Sequence, residues 1–78
     1  MPRHKYVVTS EGVPNTRDGK IIADALRDEI GPEPLSRRTI DALIRLAADA
    51  HQIGTYVNID QVFDDLVQAG FIRVQEAY

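Results

Sequence analysis

Apolar and polar positions along the chain fall into five blocks, and their spacings predict the order β-α-α-α-β. The first block, Tyr6, Val7, Val8 and Thr9, is β-branched and aromatic and too short for a helix, so it predicts a strand. The segment SEGVPNTRDG that follows carries turn residues and predicts a loop over 10–19. Ile21, Ile22, Ala25, Leu26 and Ile30 share one helical face. They predict a first helix from Asp18 or Gly19 to Ile30, with Asp18 as N-cap and Gly31-Pro32 as the stop. The second helix starts at Ser36, with Leu35 and Ile40 as a hydrophobic staple. Its buried stripe reads Ile40, Leu43, Ile44, Ala47 and Ala50, widened by Leu46 and Ile53 and closed by Gly54. So wide an arc on roughly 16 residues predicts a central helix.

Asn58 caps the third helix, with Gln61 in the capping-box place and Val57 and Val62 as a second staple. Ile59, Val62, Phe63, Leu66 and Val67 form its inner face, and Gly70 is placed to end it in the left-handed region with Phe71 folding back on Leu66. Phe71–Val74 then predicts the last strand, and Thr55–Val57 a short extended piece. A lone strand leaves its backbone groups unpaired, so the terminal strands are expected to pair with each other. The result is a single α+β domain over 1–78, three helices packed on a two-stranded sheet, with residues 1–4 as a flexible arm. Two strands are marginal alone, so a homodimer or a partner protein would add stability at the edges.

At 78 residues and 8.7 kDa there is room for one core, and the size scaling gives about 4,700 Å² of folded surface. The initial Met and the structured segments near both ends suggest a complete small gene product. The chain contains no cysteine, which excludes a disulfide framework and thiolate chemistry and favours a cytoplasmic protein. No leader, membrane span or lipidation signal is visible. The two histidines, His4 and His51, are far apart, so no metal site is expected. Only Ser10 and Ser36 could serve as nucleophiles, and Ser36 is already a cap. GVPNTRDGK lacks phosphate-loop spacing. Neither catalysis nor a cofactor is expected.

The fragment TYVNIDQVFDDLVQAGFIRV, and LVQAGFIRV within it, resembles the last helix and first wing strand of winged-helix domains. The resemblance covers about a quarter of the chain and implies a DNA-binding transcription regulator. Arg37, Arg38 and Arg45, on a shared side of the second helix, would then face phosphate. Three departures stand beside it. The chain stops where a second wing strand would begin, the second helix is long, and the recognition face would carry Asp60, Asp64 and Asp65 toward phosphates of the same sign.

The net charge of -3 is unevenly spread, at +2 over 1–20, -3 over 21–34, +1 over 35–54 and -3 over 55–78. No lysine or arginine lies between Asn58 and Ala69 to offset the carboxylates of the third helix. Asp60, Gln61, Asp64, Asp65 and Gln68 therefore define a polar face suited to a protein partner with a basic patch. Asn15 and Arg17 in the 10–19 loop and the aromatic Tyr56 are candidate additions to it. The reading is a non-enzymatic protein-binding module, an adaptor, regulator or inhibitor. In size, charge and lack of catalytic groups it is similar to phage-encoded inhibitors of host machinery, anti-CRISPR proteins among them.

Overall fold

The computed structural model describes residues 3–29, 31–53 and 57–77. Three helices and three strands follow one another as β1 (Arg3–Val8), α1 (Arg17–Arg27), β2 (Leu35–Ser36), α2 (Arg37–Ala50), α3 (Ile59–Gln68) and β3 (Ile72–Ala77). The class is α+β, as the pattern predicts, but the sheet has three antiparallel strands in the order β2-β1-β3. The terminal strands pair from Arg3↔Ala77 to Val8↔Ile72, and β2 adds Lys5↔Ser36 and Tyr6↔Leu35. β2 arises from the start of α2. An N-cap residue must be extended, and Ser36, at φ -74° and ψ 158°, presents its backbone to Lys5 while its side chain accepts from the Thr39 amide. The N-terminal strand is thus central, with the two-residue β2 and the longer β3 as its edges. Arg3 and His4, expected within a terminal arm, pair with Ala77 and Glu76.

Register sorts the sheet into two faces. Tyr6, Val8 and Ile72 turn toward the helices, where Val8 and Ile72 join a core of Ile22, Leu26, Ile40, Ile44, Ala48, Val62, Phe63, Leu66 and Phe71. Lys5 and Arg73 are exposed on the opposite face. Among the described residues that face carries no second layer, consistent with a surface of 5410 Å², larger than the size scaling expects.

The helix ends differ from expectation in instructive ways. Thr16, not Asp18, caps α1, its hydroxyl accepting from the Gly19 amide, and Asp18 sits in the first turn where the helix dipole favours a carboxylate. α1 ends at Arg27 with Asp28 as its C-cap, short of Ile30, which lies outside the described residues. α2 starts at the predicted cap but buries Ile40, Ile44, Ala47 and Ala48, while Ala50 and Leu46 are exposed. The apolar arc is therefore wider than the surface its neighbours cover. α3 keeps its predicted cap at Asn58 and its glycine exit, with Gly70 at φ 84°. There the Phe71 amide donates to Leu66 and the Gly70 amide to Val67, a Schellman closure.

α2 closes by the same two bonds, from Ile53 to Ala48 and from Gln52 to Asp49, but with Gln52 at φ 59° where glycine is usual. The expected terminator, Gly54, lies outside the described residues, as does most of the expected extended piece at 55–57. A side chain in the left-handed region costs on the order of 1 kcal/mol, so Gln52→Gly should raise unfolding stability by about that amount in a urea titration. An unchanged or lower midpoint would contradict the strain assigned to Gln52.

Candidate functional site

The outer surface of α3 is built by its own amphipathic spacing. Val62, Phe63 and Leu66 are buried, which leaves Asp60, Gln61, Asp64 and Gln68 exposed and Asp65 half-buried at the edge. The cap at Asn58, accepting from the Gln61 amide, fixes where this surface begins.

The five polar residues divide into engaged and free groups. Asp65 Oδ2 accepts from the Thr16 hydroxyl at 3.0 Å, and Asp65 Oδ1 accepts from Gln61 Nε2 at 3.3 Å. Asp60 Oδ1 accepts from Arg37 Nη2 at 2.6 Å. Asp64 and Gln68 have no side-chain partner among the described residues, so they are the groups most available to a ligand protein. Thr16 is both the α1 cap and the donor to Asp65, and it brings exposed Asn15 and Arg17 beside α3. The loop residues and the α3 face thus lie on one surface. Tyr56 lies outside the described residues.

Arg37 differs from its assignment with the nucleic-acid cations. Its guanidinium lies 3.6 Å from the Phe63 ring centroid, while Nε donates to Asp41 at 2.8 Å and Nη2 to Asp60. Tyr6 meets the same ring edge-on at 4.9 Å and 87°. Arg37 therefore clamps α2 to α3 over the sheet, and its planar fork and stacking suit arginine better than lysine. Partial burial opposes its charge, but the hydrogen bond and charge of Asp41, joined by the charge of Asp60, outweigh this and hold its pKa above the usual arginine value. The clamp's cation stays charged across the accessible pH range. Arg38 and Arg45 remain exposed on α2, separated from it. The sequence carried a signal for the contact with Asp41, four residues on, but none for Asp60.

The 9–16 segment is a strap rather than a free loop. Thr9 donates from its amide to Phe71 O at 2.8 Å, and its hydroxyl lies 3.1 Å from Gly70 O. Arg27 Nη2 donates to Gly12 O at 3.1 Å, Pro14 is fully buried, and Arg73 pairs with Glu11 at 3.2 Å. These bonds hold the strap over the corner between α3 and β3. A shallow concavity lies between Val7–Glu11, Gly31–Pro32 and Arg73.

Among the described residues no three His, Asp or Glu side chains converge as a metal site. Among them, too, no helix is long and apolar enough to cross a membrane. The geometry offers charge, hydrogen-bonding groups and shape on a rigid helix. It defines a small α+β domain with a polar helical face. No family model, curated protein or solved structure matches the chain.

Proposed function

We propose that this protein is a non-enzymatic protein-binding module, an adaptor, regulator or inhibitor, that docks through the outer face of α3 and the adjoining N-terminus of α1. The observation that supports this reading most is the Thr16–Asp65 hydrogen bond at 3.0 Å, which unites Asn15 and Arg17 with Gln61, Asp64 and Gln68 on one preorganised surface. A fixed surface loses little conformational entropy on binding. Its carboxylates fit a partner with a basic patch, which charge complementarity would steer into place.

Asp64 and Gln68 are the positions to alter, because neither holds the fold together. Immobilised wild-type protein should capture a partner from the native host, and the Asp64→Lys, Gln68→Lys double variant should lose that partner while keeping its circular dichroism. Equal capture by both proteins would reject the α3 surface.

A second reading rests on the sheet. β1 lies antiparallel beside β3, as a second wing strand lies beside the first in a winged-helix domain. In a DNA-binding regulator of this kind the cations would be Arg38 and Arg45 on α2 and Lys5 and Arg73 on the outer sheet, since α3 presents carboxylates. A mobility shift that falls steeply with salt and weakens in Arg38→Ala and Arg45→Ala would favour it.

A further inference from the structure

We propose that α2 docks antiparallel against α2 of a second copy of this chain, with Leu46 at the two-fold axis. Leu46 is 65% exposed, and of the large apolar side chains exposed among the described residues it alone lies on a helix; Val13 is in the strap and Val74 in β3. One turn to either side, at i-4 and i+4, stand Ala42 and Ala50, also exposed. Small residues flanking a leucine let two helices approach to about 8 Å, the near end of the usual interaxial range. Leu46 itself lines a shallow groove, together with Ala25 of α1, Glu29 just beyond its end, and Ala47, Ala50 and His51 at the end of α2. Knob and groove thus belong to one patch. An isologous contact needs this, because each copy must present both halves.

Charge identifies the occupant as a second copy rather than an unrelated apolar helix. Arg45 and Asp49 are exposed on the same side of the Ala42–Leu46–Ala50 stripe, and neither has an ion-pair partner among the described residues. A two-fold axis through Leu46 inverts height along the helix and keeps that side in common. At 1.5 Å per residue, Arg45 lies about 1.5 Å below the axis and the partner's Asp49 about 4.5 Å below it. The offset of about 3 Å is within reach of a flexible arginine, and symmetry makes the pair twice. A parallel arrangement would instead put the partner's Arg45 and Asp49 on the opposite side of the seam, out of reach of this pair.

The contact is limited to a helix of 14 residues, about 21 Å long. It falls below the size of a standard interface, so the dimer should be weak, with half-association between about 10 µM and 1 mM.

Sedimentation equilibrium of the full chain from about 10 µM to 2 mM at low salt should show mass rising from one copy toward two. Leu46→Glu should stay at monomer mass throughout. Should that variant lose its circular dichroism, Ala42→Lys, at an exposed small residue, serves in its place. Arg45→Asp and Asp49→Arg should each weaken association at least tenfold, and the Arg45→Asp, Asp49→Arg double variant should return to within threefold of wild type. Monomer mass for the wild type at 2 mM, unaltered association in Leu46→Glu, or no recovery in the double variant would each overturn the proposal. The surface is separate from the α3 face, so Asp64→Lys, Gln68→Lys should associate as wild type whether or not that face binds a partner.

Discussion

Gly12→Ala should cost about 3 kcal/mol and lower the unfolding temperature by roughly 15 °C. Two independent causes act in the same direction. Gly12 holds φ 83°, a region where a Cβ is strained whatever its surroundings. A Cβ built there would also stand 2.4 Å from Ala69 O and 2.8 Å from Phe71 N. Both are backbone atoms of the α3–β3 corner, so no rotamer change relieves the contact. The strap must lift or the corner must shift, and either breaks bonds that depend on close approach, from Thr9 to Phe71 O and from Arg27 to Gly12 O. A domain of this size has on the order of 4 to 12 kcal/mol in total, so the loss is a large fraction of it. Val13→Ala, next in the chain but with Val13 59% exposed, should shift stability by less than about 0.5 kcal/mol. Thermal unfolding of the pair by circular dichroism checks this. Equal midpoints for the two variants would mean that the strap is not held against the corner.

The strap also shows where reading the sequence stops. SEGVPNTRDG announces a loop by composition, but whether a loop is free or fastened depends on Ala69, Gly70 and Phe71, about sixty residues away. Local signals did better where the physics is local. Ser36 and Asn58 cap as their side chains predict, and Gly70 ends α3 because both of its Schellman bonds close within six residues. They failed where two candidates were chemically equal and a tertiary contact chose between them. Thr16 and Asp18 can each cap a helix, and only Thr16 also reaches Asp65. β2 was invisible because two residues in a proline-rich linker carry no alternation, and their pairing depends on Lys5 and Tyr6.

The candidate surface was legible to the same extent. The amphipathic spacing of α3 placed Asp60, Gln61, Asp64 and Gln68 outward, since that periodicity is intrinsic to a helix. Which of those carboxylates is already occupied was not legible. Asp60 is engaged by Arg37 across a gap of 23 residues and Asp65 by Thr16 across 49. The free part of the surface narrows to Asp64 and Gln68. Likewise, hydropathy counted Leu46 and Ala50 into the core stripe of α2, although the neighbouring helices cover only the side of Ile40, Ile44 and Ala48.

Phe71→Ala should be the most damaging single change, at about 4 kcal/mol, within the range for truncating a buried phenylalanine. The ring is fully buried and is the largest side chain so placed among the described residues. Its position follows from the exit of α3, because the Phe71 amide donates to Leu66 O at 3.0 Å and turns the side chain back toward Leu66 in the core. The Arg27 guanidinium lies 5.9 Å from the ring centroid while bonding to Asp24 and to Gly12 O. One ring thus underlies both the end of α3 and the cation that ties down the strap. Alanine would leave a cavity and remove the aromatic face from Arg27 together. Phe71→Leu separates these effects, since it fills most of the volume but offers no ring. It should cost about 2 kcal/mol, one part from imperfect shape and one from the lost cation–π contact. Urea titrations of Phe71→Leu, Arg27→Met and the double variant then form a cycle. A coupling of about 0.5 to 1 kcal/mol between the two positions is expected for a contact of this kind at a partly exposed arginine. Strict additivity would show that Phe71 acts through volume alone and that Arg27 holds the strap by its bond to Gly12.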